Sequence, residues 1–333
     1  MANFTCLAAA RSAILRKAGW DVDADGLFGA PPITVVLGDD AHTTVFSALQ
    51  FLGFGHDRVV RIPTDDQGRI DVSEFGTIVS QISGPCLVIL QAGQINTGAF
   101  DDFERLIPLA KKADAWVHID GAFGLWARVS SRKRHLAAGV ELADSWATDG
   151  HKWLQAPYDS GFAIVRDEAA HRKAMTIAAS YLPAASNTER DPAQYVPELS
   201  RRARGFAAWA IIKHLGRAGI AAIVERNCDA AAEIATLLAA EPGVTVLNDV
   251  ALNQIVVCFG GADMAIDALT AATIANVQSR GEAFAGGARW KGNSVMRISV
   301  TNYATDSEQA QLAAEAILGS YRAAAALVPT RSE

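Results

Sequence analysis

From Ile33 to Asp167, short β-branched apolar runs alternate with segments of helical period. This alternation limits the fold more than any other feature. ITVVLGD (Ile33 to Asp39) is followed by RVVRIP, PCLVILQAG, WVHIDGAFG, DSWATDG and GFAIVRD, each of strand length and bounded by Gly, Asp or Pro. The intervening FDDFERLIPLAKKADA places Phe103, Leu106, Ile107 and Ala110 on one helical face, with Asp101 or Asp102 as its N-cap and Pro108 as an expected kink. Strands that read as continuous apolar runs, separated by helices, build a mostly parallel sheet covered on both faces. The expected fold class is therefore α/β.

The texture changes after about residue 168. LPAASNTERDPAQYVPELS is rich in Pro, Ser, Asn and charge and reads as a long loop, expected to be mobile over about 181–196. Helices are expected from roughly Glu198 to Leu215 and Ala221 to Ala240. The last hundred residues mix strand-like GVTVLND, QIVVCFG and SVMRISVTN with helices near Ala265 to Arg280 and after TDSE, whose Thr305 and Glu308 form a capping-box pattern. The expected division is a large domain over 1–215 and a smaller α+β domain over 216–333.

Charge and composition exclude several classes. A formal net charge of -6 lacks the basic excess of a nucleic-acid binder. No apolar run approaches the roughly 18 residues of a membrane span, so no membrane partner is expected. Cys6, Cys86, Cys228 and Cys258 are scattered without metal-ligand spacing; they read as reduced, buried thiols, with a cytoplasmic location expected and no metal site. The first residues already have helical character with no start signal before them, which is the expectation for a chain lacking part of an N-terminal region.

In an open α/β sheet, ligands collect at the carboxyl ends of the strands. Here those ends carry His42, then Gln94, Asn96 and Thr97, then Asp120, then Asp149, His151 and Lys152. A lysine in a protected site loses its proton more readily and becomes an amine nucleophile. A carboxylate near it can hold a proton on a heterocyclic nitrogen, which is the pair that pyridoxal phosphate requires. Each residue also has a plainer reading: Lys152 as a loop lysine, Asp120 as a turn residue, His42 as an N-cap neighbour. His118, two residues before Asp120, is given no role.

HIDGAFG followed by DGHKW resembles the pyridoxal-dependent amino-acid decarboxylases of the aromatic-amino-acid and glutamate type. The resemblance runs from residue 1 to about 326. It implies the aspartate-aminotransferase-like fold (fold type I) and pyridoxal 5'-phosphate as cofactor. Lys152 is implied as the Schiff-base lysine, Asp120 as the partner of the pyridine nitrogen, Ala122 against the ring and His42 stacked on it. His151 is implied near the cofactor phosphate, Asp149 of the same motif is expected to bind the cofactor, and Asn96 or Thr97 belongs to a cofactor-touching loop. Tyr181 sits where aromatic-amino-acid decarboxylases carry the tyrosine that protonates the α-carbon, and Arg297 on the strand linked to the substrate carboxylate. Alternation on that strand independently sets Arg297 opposite Met296, Ile298 and Val300. The implied activity is decarboxylation of an L-amino acid to an amine and carbon dioxide by a homodimer. An aminotransferase, another lyase, or a weakly active or inactive homologue serving as a dimer partner are the alternatives. The family's Gly/Ser/Thr-rich phosphate loop precedes a helix resembling MANFTCLAAAR.

Overall fold

The computed structural model describes residues 1–176, 190–260 and 266–327. The chain divides into two units: Met1–Ala92 with Phe100–Leu125 and His135–His214, and Gly93–Ala99 with Trp126–Arg134 and Leu215–Glu333.

The first unit opens with α1 (Ala2–Lys17) and the single turn α2 (Val22–Asp25). Strands and helices then alternate: β1 (Thr34–Gly38), α3 (Thr43–Phe51), β2 (Val59–Ile62), α4 (Val72–Val79), β3 (Cys86–Gln91), α5 (Phe103–Lys112) and β4 (Trp116–Asp120). β5 (Ser145–Asp149), β6 (Gly161–Val165) and α6 (Glu168–Met175) follow. The sheet order is β2-β1-β3-β4-β5-β6. All neighbours are parallel except β5 and β6, which form an antiparallel edge. β2 lies on one side of β1 and β3 on the other, so the chain reverses its direction of travel there. That reversal opens a crevice at the carboxyl ends of the strands, where α/β sheets bind ligands.

The sheet is held by burial on both faces. Leu7, Ile14, Val35, Leu37, Leu49 and Leu87 form one apolar cluster joining α1 and α3 to β1 and β3. Each fully buried side chain of this size contributes about 1.5–3 kcal/mol. β3 is buried along CLVIL without alternation, as a central parallel strand should be. Asp102 caps α5 by accepting from the Arg105 N–H, and the helix runs on through Pro108 to Lys112. Asp101 does something else: its two oxygens accept from the Ile70 and Gln91 N–H groups at 2.9 and 2.7 Å.

The helical run α7 spans Arg204–Ala239 and breaks at Gly216, whose φ of 59° and ψ of -176° are open to glycine. Its start lies six residues after the expected Glu198. The 198–203 segment instead stays irregular, with Arg201 and Arg202 donating to the Glu198 and Tyr158 carbonyls. By length and composition α7 could cross a membrane, contrary to the sequence expectation. Its second half nonetheless buries Ala230, Ala231, Ile234 and Leu238 in a protein core.

The second unit continues with β7 (Val244–Val246), β8 (Gln254–Phe259), α8 (Ile266–Arg280), β9 (Gly286–Trp290), β10 (Asn293–Ser299) and α9 (Ser307–Ala325). Its sheet, β7-β8-β10-β9, is antiparallel throughout. Ile255, Val257, Phe259, Met296 and Ile298 pack beneath α8 and α9. The last helix is capped by Asp306, not Thr305: the Asp306 carboxylate accepts from the Gln309 N–H at 3.0 Å. Aspartate ranks above threonine as an N-cap acceptor, and here it takes the position one residue on.

Candidate active site

β4 and β5 end side by side. Asp120, the last residue of β4, pairs with Gln91 on β3 and Ala147 on β5. The ladder continues past the strands, with the Gly121 N–H donating to the Ala147 carbonyl and the Asp149 N–H to the Ala122 carbonyl. A tight turn then carries His151 and Lys152. Gly150 makes this turn possible: a Cβ there would lie 3.0 Å from both Phe162 and the Ser160 hydroxyl. The Gly150 and His151 N–H groups donate to the Ser160 carbonyl, seating the turn on the β5–β6 edge.

The amine of Lys152 is enclosed by two groups of different kinds. Nζ lies 3.1 Å from Oδ2 of Asp149 and 4.7 Å from the centre of the Phe123 ring. The ion pair is mostly withdrawn from water, with side-chain exposures of 20% and 22%. Phe123 is itself buried and edge-on to Trp153, so its face is fixed. His151 turns Nε2 toward the same Asp149 oxygen at 3.6 Å, while Nδ1 faces the Ser160 backbone and the ring lies against Tyr158.

Asp120 is buried, and its Oδ1 has no hydrogen-bond partner among the described residues. Burial pushes its carboxyl above the usual carboxylate range; the charges of His42 and Lys152 and the Ala122 N–H pull the other way, and Asp149 adds to the rise. A buried acceptor left open is costly, so such an atom marks a place where a donor belongs. His42 shares with Asp120 a recess lined also by Gly38, Val45, Leu90 and Asp101. Its imidazole Nδ1 lies 2.8 Å from the Thr44 hydroxyl and accepts from the Thr44 N–H, so it caps α3 while staying at the crevice.

The strand ends thus bring His42, Asp120, Ala122, Asp149, His151 and Lys152 to one edge of the first unit. Asn96 and Thr97 fall in the 93–99 loop, which belongs to the second unit. There Gln94 Oε1 accepts from both of their N–H groups, and the Thr97 carbonyl accepts from Asn248. Arg297 also lies in the second unit, on β10. It is half-buried between buried Met296 and Ile298, and burial lowers the pKa of its guanidinium. Tyr181 lies outside the described residues. Phe123 was missed by sequence reasoning, although it sits in the same HIDGAFG motif, one residue after Ala122.

Residues 1–260 match the family model of the pyridoxal-dependent decarboxylase conserved domain. The chain belongs to the pyridoxal-dependent decarboxylase family. It is 28% identical over 320 residues to an aromatic-L-amino-acid decarboxylase of Bacillus atrophaeus, covering 93% of this chain and 64% of that protein. It is 26% identical over 237 residues to an L-2,4-diaminobutyrate decarboxylase of Acinetobacter baumannii, covering 68% of this chain and 46% of that one. The fold matches a crystal structure of Oryza sativa TDC with PLP and tryptamine at a TM-score of 0.87 and 23% identity, over 97% of this chain and 68% of that one. The architecture is that of fold type I. The chain thus spans about two thirds or less of the length of these relatives.

Family membership makes pyridoxal 5'-phosphate the cofactor, and the residues fit it. The open, buried Oδ1 of Asp120 calls for a donor such as a protonated ring nitrogen. The Lys152 amine stands in the turn that follows the neighbouring strand, near enough for its charge to act on Asp120.

Proposed function

We propose that this chain carries out pyridoxal-phosphate-dependent decarboxylation of an L-amino acid, giving the amine and carbon dioxide. The observation that carries the reading is the buried carboxylate of Asp120, one oxygen unpartnered among the described residues, at the same sheet edge as the Lys152 amine. When bound, the cofactor supplies an electron sink for the bond that breaks at the substrate's α-carbon. Asp120 holds a proton on the ring nitrogen. A positioned charge of this kind contributes several kcal/mol of barrier lowering, roughly 3–4 by analogy with single-donor deletions. Lys152 would hold the cofactor through its amine. By the family resemblance, His42 would stack a flat imidazole on the cofactor, Ala122 would lie against it and His151 would donate to its phosphate. Asn96 and Thr97 are assigned to the cofactor on the family resemblance alone.

Tyr181 delivers the proton to the α-carbon and Arg297 binds the substrate carboxylate; both roles rest on the family resemblance, and Arg297 also on its strand alternation. The relatives named above include an aromatic and a diaminobutyrate decarboxylase, and Tyr181 favours an aromatic substrate. A homodimer is the proposed assembly. The test is borohydride reduction of the full chain with pyridoxal phosphate, followed by peptide mass analysis, alongside product analysis over a panel of L-amino acids. Cofactor mass on the Lys152 peptide, absent in Lys152→Ala, together with amine and carbon dioxide, is the expected result. A keto acid as product would move the chain to the aminotransferases. Labelling that ignores Lys152→Ala would remove the lysine from the site.

A further inference from the structure

The 93–99 loop carries Asn96 and Thr97, and its feet stand beside Asp120. Ala92, just before the loop, donates its N–H to the Asp120 carbonyl at 2.9 Å and accepts from the Gly124 N–H at 3.1 Å. Past the far end, the Asp101 N–H donates to the Gln91 carbonyl at 3.1 Å, so both flanks rest on the end of β3. Between them the loop is folded on itself. The Gly93 and Gln94 N–H groups donate to the Ala99 carbonyl, and the Gly98 N–H donates to the Gln94 carbonyl.

Those bonds fix the shape of the loop; its seat comes from a distant stretch of the unit to which it belongs. Asn248 lies 151 positions beyond Thr97 and is buried. Its Nδ2 donates to the Gln254 carbonyl and to the Thr97 carbonyl, each at 2.9 Å, and its Oδ1 accepts from the Val256 N–H at 2.9 Å. A planar amide held at both ends has one orientation. The two bonds to β8 therefore aim the remaining N–H at Thr97. Gly98 lets the loop come that close. Its φ is +74°, and a Cβ there would lie 2.6 Å from Gln254 Oε1 and 3.2 Å from Leu252 Cβ. The Gln254 side-chain amide has no hydrogen-bond partner among the described residues, so it shapes the seat without fastening it. The polar fastening is Asn248.

We infer that Asn248 is a positioning residue for the cofactor site: it pins the Thr97 carbonyl and so sets where the loop presents Asn96 and Thr97. The inference rests on the reading that assigns those two residues to the cofactor. Asn248 acts through the loop and touches no reacting atom. A loop pinned in its middle loses its conformational freedom when the chain folds. Released from Asn248, it would have to be ordered at the moment of binding, and affinity would fall by that cost.

The experiment titrates the full chain with pyridoxal phosphate, read by aldimine absorbance and by borohydride trapping on the Lys152 peptide. Amide hydrogen exchange of the 93–99 peptide is followed in the same proteins without the cofactor. All measurements are made well below the melting temperature. Asn248→Ala is expected to raise the apparent Kd about ten-fold, the scale of one buried hydrogen bond, and to speed exchange in 93–99 while β3 and β8 stay protected. Asn248→Asp keeps the acceptor for Val256 and loses the donor to Thr97, and is expected to weaken binding as much. A merely structural role would lower Tm and leave both the Kd and the loop exchange of the folded variant unchanged; that result overturns the inference. Faster loop exchange with an unchanged Kd overturns it too, since the seat would then not serve the site. Either result, with trapping still on Lys152, leaves the decarboxylase reading intact. No trapping on Lys152 in the unaltered chain overturns both. If the Asn248 variants do not fold, Gly98→Ala disturbs the same seat from the loop side: a raised Kd is expected, and an unchanged one overturns the inference.

Discussion

The strand β4 holds two buried ionisable side chains two residues apart, one mid-strand and one at its carboxyl end, and they are built to opposite rules. At mid-strand, His118 is fully buried and both ring nitrogens are engaged: Nδ1 lies 2.9 Å from the Ser145 hydroxyl and Nε2 3.0 Å from Asn3 Oδ1. Ser145 also accepts from the Trp116 indole N–H, so the chain of donors closes if Nε2 carries the imidazole proton. Burial pushes His118 down to about 3, and it stays neutral across the ordinary range. At the carboxyl end, Asp120 is almost as buried but keeps an oxygen without a partner among the described residues. Asp101, the third buried ionisable group of this region, again has a backbone N–H on each oxygen. Burial is common to all three; the unpaired atom is what separates the candidate catalytic group from the structural ones.

The largest effect that would break this comparison is on turnover. Asp120→Asn is expected to lower kcat/KM about a hundred- to a thousand-fold, the range seen when one positioned charge-stabilising group is removed. Its effect on unfolding free energy should stay within about 1 kcal/mol, because no protein hydrogen bond to Oδ1 is lost. A variant that instead unfolds, or keeps full turnover, would make Asp120 another His118.

At mid-strand His118 the effect is on stability and has a definite pH sign. A histidine whose folded pKa lies near 3 rather than 6.5 contributes stability that is present above 6.5 and is lost as the pH falls toward 3. Between pH 7 and pH 4 this group should cost the fold about 3 kcal/mol. His118→Gln removes the titration, so the difference in unfolding free energy between the two proteins should narrow on acidification, measured by urea denaturation at each pH. A constant difference would mean that His118 is not held neutral.

The smallest effect sharpens the contrast between sequence pattern and geometry. Asp306→Ala is expected to cost about 1 kcal/mol by removing the cap on the Gln309 N–H. Thr305→Ala should stay within about 0.5 kcal/mol. The reverse order, in the same thermal or urea melts, would restore the capping box centred on Thr305.

Much of this was legible because the chemistry is local. The six strand-like runs all became strands of one sheet, as short runs rich in β-branched and aromatic residues bounded by Gly, Asp or Pro should. DGHKW could be read because a glycine, a lysine and an aspartate within four residues must share one turn. Phe123 could not be read, because a cation over a ring face depends on how the Lys152 turn folds back on the strand before it. Asp101 and Asp102 are indistinguishable as neighbouring carboxylates until Ile70, thirty-one residues away, donates to one of them.

By itself the sequence determined the α/β class, the strand ends on which polar residues would gather, and the lysine and aspartate that belong to them. These follow from periodicity and from short-range spacing, which the chain carries in every segment. Which buried groups find partners was decided only in three dimensions. Hydrogen bonds such as those closing His118 join residues 27 and 115 positions apart. No local pattern encodes that a donor arrives at His118 and Asp101 while one oxygen of Asp120 is left waiting.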